Sequence, residues 1–455
     1  MKSIEELWMD HRVALAQLDS PDYLDESIRA TITDLSKRLE WSSDTHGPFG
    51  KVIDKGSRVV IKPNFVSHRN QGLWGMDPLI THPSLVRAIT EAVLQAEPSE
   101  IIIGDAPLQS CDFDALMQVT HLKESSDELQ ARDSRFKGIR DFRRTTCSFV
   151  DGVRVASEGL KPEDDFLLFD LADESLLEEV CDISTPFRVT CYDPRLLSER
   201  HRKGRHQYLI AKEIIDADVV INLPKLKTHK KAGITCALKN LVGINGNKEY
   251  LPHHRVGGLE SGGDCYPGKS VMKTALEFAL DQQNMATSHI SGKLWNEVAT
   301  NLDRVLRYSG DTLGVEGSHS GNDTVWRTCL DLNRILLYGR RDATLDDKPQ
   351  RKVLHIVDAI VAGQGNGPLS PQPLLLGSLF AGANAAAVDW AGAELLGYDR
   401  TKIPLVRKAF GEFRWPITRF GADDVVVLDS FEPRARTTRQ VIHPDGWKDA
   451  AMRIE

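Results

Sequence analysis

Between Asn222 and Gly243 the chain reads Asn-Leu-Pro-Lys-Leu-Lys-Thr-His-Lys-Lys-Ala-Gly-Ile-Thr-Cys-Ala-Leu-Lys-Asn-Leu-Val-Gly. Lys225, Lys227, Lys230 and Lys231 crowd one short stretch directly after an apolar run. A solvated basic turn would explain lysines alone. Cations packed at the end of a buried strand repel one another unless an anion or a carboxylate offsets them. His229, in their midst, has an ordinary pKa suited to proton transfer near neutrality. Ala232-Gly233-Ile234-Thr235 opens a predicted short helix that runs to Leu241, whose free N–H groups would face an anion. Lys239 follows Thr235 by four residues, so the two share one side of that helix, and Asn240 and Gly243 close it.

Such side chains need elements to hold them. Arg58–Lys62, Glu100–Asp105, Asp218–Leu223 and Lys352–Asp358 are short, β-branched and without alternation, which predicts strands covered on both faces. A helix is predicted between the first two, over His82–Ala96 with Pro83 in its first turn, so the unit is βαβ and the sheet parallel. Further helices are predicted over residues 1–50, Tyr208–Ile215, Ser270–Asp281, Trp295–Arg307, Asp323–Tyr338 and Ala385–Leu396, and further strands at Ser378–Ala381 and Val425–Leu428. The expected architecture is α/β, in two lobes built on mainly parallel, doubly wound sheets. It comprises an N-terminal helical cap (1–56), an α/β domain (57–245) with an insertion at about 112–205, and a second α/β lobe (246–455) with glycine-rich loops. Ligands of open parallel sheets bind beyond the carboxyl ends of the strands. That rule selects Lys62, Asn64, Asp105, Lys225 through His229, Asp358 and Asn366.

The bulk numbers exclude several classes. A net charge of −8 over 455 residues gives no overall bias toward nucleic acid. The seven cysteines are scattered, with no Cys-x-x-Cys, so no cysteine-ligated iron–sulfur cluster is expected and a reducing, cytoplasmic setting fits. The first residues lack the apolar core of a secretory signal, and the apolar stretch Leu374–Leu396 is broken by Asn384, Asp389 and Glu394, so no membrane span is expected.

The three early strands, the Lys62-Pro63-Asn64 turn, Pro224–His229, Ala237–Leu241, Asp358 before Gly363–Pro368, and Ala385–Asp389 together resemble the domain-of-unknown-function family 362, from about residue 57 to 400. More distantly, His229-x-x-Ala232-Gly233-x-Thr235-x-x-x-Lys239 resembles the core motif of the nickel-pincer lactate racemase family. That resemblance implies an acid/base role for His229. It implies for Lys239 a second acid/base role or the tether of a pyridinium-type cofactor bearing nickel, with a metal ligand in the region of His253 and His254. Where the racemase pattern has a Gly-Gly pair, this chain has Cys236-Ala237-Leu238, whose side chains would crowd a cofactor lying against the backbone.

The expectation is an enzyme acting on a small anion, a carboxylate or a sugar-acid or phosphate compound. Its reaction would be a redox-neutral, isomerase- or racemase-like proton or hydride shift. His229, Lys239 and Asp105 would be catalytic, and Lys62, Asn64, Lys225, Lys227, Thr235, Asn240 and Asn366 would bind substrate. Asp105 could equally serve as a turn former or cap. Asp389, inside an apolar helix, needs a partner, and a site lysine or histidine is the expected one. A redox or group-transfer enzyme with a separate cofactor and a non-catalytic metabolite-binding protein are the competing classes.

Overall fold

The computed structural model describes residues 1–18, 20–157, 161–429 and 440–451. One ten-stranded sheet runs through it: β1 (Arg12–Gln17), β2 (Arg58–Pro63), β3 (Glu100–Asp105), β4 (Phe136–Asp141), β5 (Val219–Leu223), β6 (Lys225–His229), β7 (Gly233–Thr235), β8 (Lys352–Gln364), β9 (Gln372–Gly382) and β10 (Val426–Asp429). The order is β10-β1-β9-β8-β5-β2-β3-β4, with β6 on the far part of β8 and β7 on β6. Neighbours from β8 through β5, β2 and β3 to β4 are parallel, as are β6 with β8 and β1 with β10. The β1–β9, β8–β9 and β6–β7 pairs are antiparallel. The chain is therefore an α/β protein with a large, mainly parallel sheet. Strands from both sides of residue 245 belong to it.

The unalternated runs have a plain reason. Ile61, Ile103 and Ile221 enter one apolar cluster while Val60, Ile102 and Val220 enter another on the opposite face. Helix α1 (Pro83–Leu94) covers the first face, its start fixed by Pro83 and by the His82 side chain accepting from the Ser84 N–H. The site lies near α2 (Ala237–Asn240), α3 (Val325–Tyr338) and α4 (Ala385–Leu395).

Several local expectations change. Arg12–Gln17 is a strand rather than part of a helical cap, because it finds partners on both sides, β9 and β10. Arg205–Ala211 is a strand against Phe166–Asp170, and only Lys212–Asp216 is helical. The stretch expected as an insertion contributes a strand of the main sheet, β4. Lys225–His229 is not a loop: after Pro224 the chain re-enters the sheet beside β8, Lys225 opposite Asp358 and Lys227 opposite Gly363. Gly233–Thr235 is the strand β7, and the helix is confined to four residues, Ala237–Asn240.

Candidate active site

At the carboxyl ends of β5, β2 and β3 a chain of buried polar groups begins. Asn222, in register with both Lys62 and His355, donates from Nδ2 to Ala237 O at 2.9 Å and to His355 Nδ1 at 3.0 Å. Its Oδ1 accepts from Asn240 Nδ2 at 2.7 Å, and Asn240 Oδ1 accepts from Lys62 Nζ at 3.2 Å. Lys62 closes the chain on Asp105 Oδ1 at 2.7 Å, while Asp105 Oδ2 accepts from the Phe65 N–H at 2.8 Å. Burial pulls the Lys62 ammonium below its ordinary value and Asp105 draws it back up. With no solvent to compete, these bonds fix α2, and hence Lys239, on the sheet.

The β6–β7 hairpin carries His229. Its Nδ1 accepts from the Lys231 N–H at 3.0 Å and the Ala232 N–H at 3.2 Å. A nitrogen that accepts two N–H groups holds no proton, so the neutral ring carries its proton on Nε2. Burial, then Lys239, Lys231 and Lys227, push this imidazole far below its ordinary pKa, which keeps it neutral. Gly233, at φ +82°, lets the turn close, and Tyr398 Oη donates to its carbonyl at 3.0 Å. His253 has the complementary tautomer. Its Nδ1 lies 2.7 Å from the Leu251 carbonyl, which only accepts, so Nδ1 holds the proton and Nε2 offers a lone pair. Burial and the nearby Lys231 and Lys239 keep His253 neutral too.

The short helix meets a carboxyl group of the protein's own. Asp389 Oδ1 on α4 accepts from the Leu238 N–H at 3.2 Å, so the expected lysine or histidine partner is replaced by backbone at the start of α2. Burial raises the Asp389 carboxyl to about 7. Cys236, Ala237 and Leu238 are wholly buried in an apolar cluster with Leu226, Ile234 and Cys329, so their side chains turn to the core rather than crowd a ligand.

A cavity of about 430 Å³ gathers most of the expected residues: Asn64, Asp105, Lys227, His229, Thr235, Lys239, Asn240 and His253 line it. Alternation along β6 sends Lys227 and His229 to one side and Leu226 into the core. Asn64 Nδ2 and Thr235 Oγ1 are buried without hydrogen-bond partners. Leaving such groups unpaired costs about 1–3 kcal/mol each, a cost a ligand can remove. Lys239 Nζ has no hydrogen bond or ion pair among the described residues, although the side chain is mostly buried.

Four expected residues lie elsewhere. Lys62 sits behind the cavity wall, bound to Asp105. Lys225 is fully buried in an ion pair with Asp358 at 2.6 Å and donates to Tyr23 Oη at 2.8 Å. Asn366 is exposed on its turn, and only the following Pro368 and Leu369 reach the cavity. His254 pairs with Arg188 in a two-residue strand and does not line the cavity. Among the described residues no group of three or more His, Cys, Asp or Glu side chains could hold a metal ion.

Sequence reasoning missed Lys248 and Glu316. Lys248 Nζ donates to Ala106 O at 2.9 Å, and burial lowers it to about 7. Burial alone would raise Glu316, but Lys231 and Lys230 outweigh it and hold the carboxyl at about 2. It bridges Lys230 at 2.7 Å and Lys231 at 3.9 Å. Lys248 opens the short 3-10 helix Lys248–Tyr250 and Glu316 sits in a loop, and the local sequence of neither carries a pattern.

The fold and the cavity define an α/β protein with a lysine-lined cavity at the carboxyl edge of its sheet. The chain belongs to the DUF362 family, a domain of unknown function, which it matches over residues 59–161 and 179–394. A thylakoid-associated protein of Synechocystis sp. is 23% identical over 391 residues, covering 86% of this chain and 77% of that protein. Two solved structures are more remote. A Thermotoga maritima protein is 10% identical with a TM-score of 0.35, matching 83% of this chain and 60% of its own. The lactate racemase apoprotein of Thermoanaerobacterium thermosaccharolyticum is 14% identical with a TM-score of 0.30, matching 87% of this chain and 59% of its own. The chain thus spans about six tenths of the length of either solved structure.

Proposed function

We propose that this chain is an enzyme that binds a small organic anion in the 430 Å³ cavity and catalyses a redox-neutral, isomerase- or racemase-like shift of a proton. The observation that carries the reading is the pair of imidazoles fixed by the backbone in opposite tautomers, His229 with Nε2–H and His253 with a free Nε2. His253 Nε2 takes the proton from the carbon next to the anionic group. The His253 imidazolium so formed returns that proton to the same or the neighbouring carbon, while the neutral His229 donates a hydrogen bond from Nε2–H to the oxygen on which negative charge develops. Lys239 offsets the negative charge that develops in between. Asp105 positions rather than reacts, since both its oxygens are engaged.

The donor set also suits a lysine-tethered, metal-bearing cofactor. Lys239 would hold it and His253 Nε2 would be the one protein ligand, the ring being oriented by the Leu251 carbonyl. Such a group would supply hydride acceptance in place of a carbanion. The size of the cavity favours this second reading, because it exceeds what a three-carbon acid needs. The same chemistry would run in the cytoplasm, as the free cysteines fit, and no helix among the described residues is long and apolar enough to cross a membrane. Fractionation of the native host would tell this from membrane association.

The test is proton exchange in D2O followed by NMR over a panel of hydroxy, keto and sugar acids. The wild type should wash deuterium into the carbon beside the carboxylate or interconvert stereoisomers. His253→Asn should lose that exchange and His229→Ala should slow it, each while retaining ligand. An acid that binds tightly yet neither exchanges nor isomerises would leave a binding protein instead.

A further inference from the structure

We propose that the ligand of the cavity is an organic dianion, a phosphate monoester or a dicarboxylate, held jointly by Lys227, Lys239 and Lys248. This rests on the reading that the cavity takes an anionic substrate, and it adds the charge that substrate must carry. Five lysines line the cavity (Lys227, Lys230, Lys231, Lys239 and Lys248) against two carboxylates, Asp105 and Glu316. Neither carboxylate is spare. Asp105 is committed to Lys62 and to the Phe65 N–H, and Glu316 to Lys230 and Lys231. The three remaining lysines have no carboxylate partner among the described residues. Lys227 Nζ donates to Leu79 O at 2.5 Å, Lys248 Nζ to Ala106 O at 2.9 Å, and Lys239 Nζ to nothing.

A lone negative charge would offset only one of these three buried amines once they are protonated, whereas a dianion with several acceptor oxygens satisfies donors as well as charge. Asn64 Nδ2 and Thr235 Oγ1, both buried and unpaired, supply further polar contacts in the same cavity. The free protein manages the imbalance by shedding protons. Burial, then Lys225 and Lys239, lower Lys227 well below its ordinary value, and burial brings Lys248 to about 7. A dianion would therefore draw protons back onto these amines as it binds. The carbon skeleton has a place as well: Val66, Leu108, Phe149, Val189, Tyr192 and Leu369 give the cavity apolar lining that bare inorganic phosphate would leave unused.

The experiment is titration calorimetry on the full chain at about pH 8, in two buffers of different ionisation enthalpy, where a dicarboxylate is fully ionised. Phthalate and benzoate share a ring and differ by one carboxylate; phenyl phosphate and inorganic phosphate form the second arm. Phthalate or phenyl phosphate should bind at least about tenfold tighter than benzoate. Binding should take up at least about one proton, because Lys248, brought to about 7 by burial, starts mostly neutral at that pH. Which dianion binds tighter assigns the headgroup. Lys248→Met should remove about one proton of the uptake; if that variant does not fold, the two-buffer comparison on wild type decides alone. Equal affinity for benzoate without proton uptake overturns the dianion, and the deuterium-exchange result for the imidazoles still stands. Binding of neither class overturns the anion reading and this inference together.

Discussion

Asp105 stands against Gly243: a methyl group at the Gly243 Cα would lie 1.9 Å from Asp105 Oδ1 and 2.7 Å from Lys62 Nζ. The ion pair at the base of the cavity therefore occupies the space that any larger residue at 243 would need. Gly243→Ala should separate Lys62 from Asp105 and cost about 1–3 kcal/mol, the range for overpacking a tight interior. Because the same network runs through Asn240 to α2, ligand affinity should fall as well. Denaturant melts and ligand titration of the variant check both effects.

A second expectation concerns pH. An ordinary catalytic histidine imposes an acid limb near its own pKa on kcat/KM, which reports the free enzyme. Burial and three lysines hold His229 far below that range. The proposed activity should therefore show no loss attributable to His229 between about pH 7.5 and 5.5. Lys239→Met removes the second-largest influence and should move an acid limb upward toward neutrality. A wild-type limb at an ordinary histidine pKa would exclude His229 as the neutral hydrogen-bond donor.

Two lysines that look alike in sequence should part company on mutation. Lys225 is paired with Asp358, which also accepts from Tyr23 Oη and from the His82 N–H. Lys225→Met strands that carboxylate and should cost about 3–5 kcal/mol in stability. It should leave anion affinity unchanged in the folded fraction. Lys239→Met breaks no bond within the protein, so its melt should be unaltered or higher while anion affinity drops at least about tenfold. Thermal melts paired with binding isotherms separate the two.

Asp389 yields a stability profile. Its carboxyl is raised in the folded chain to about 7, so the folded form holds a proton that the unfolded form releases. The stability tied to this proton is fully present below the ordinary carboxylate pKa and is lost as pH rises to about 7. Asp389→Asn keeps the shape without the titration. It should flatten this part of the profile and gain about 1–2 kcal/mol over wild type near pH 8. Urea melts at a series of pH values measure it. A variant whose slope matches wild type would show that Asp389 is ionised throughout.

The strands centred on Val60, Ile102, Val220 and Leu354 were legible because each is buried on both faces, and that condition writes itself into composition. Arg12–Gln17 was not, because Ala, Leu and Gln favour helix locally and only the remote β9 and β10 make it a strand. In Lys225–His229 the alternation Lys-Leu-Lys-Thr-His was visible, but Pro224 and the lysines masked it as a turn. The sequence could group His229, Lys239, Asn240 and Thr235, since local structure places them near one another. It could not tell Lys225 from Lys227, which depends on Asp358, more than a hundred residues away. Lys248 and Glu316 reach the cavity only through tertiary packing.

The place of β1 in the sheet also dictates a timetable. Its buried residues Val13–Ala16 are flanked by β9 and β10, so Val13 waits for Gly382 and Val427. At a synthesis rate of about 5–20 residues per second, β1 goes roughly 20–80 s before both its partners exist. For that interval an apolar segment has no native strand to pair with, and pairings this distant in sequence close slowly even afterwards. The sheet therefore cannot close around β1 until β10 has been made.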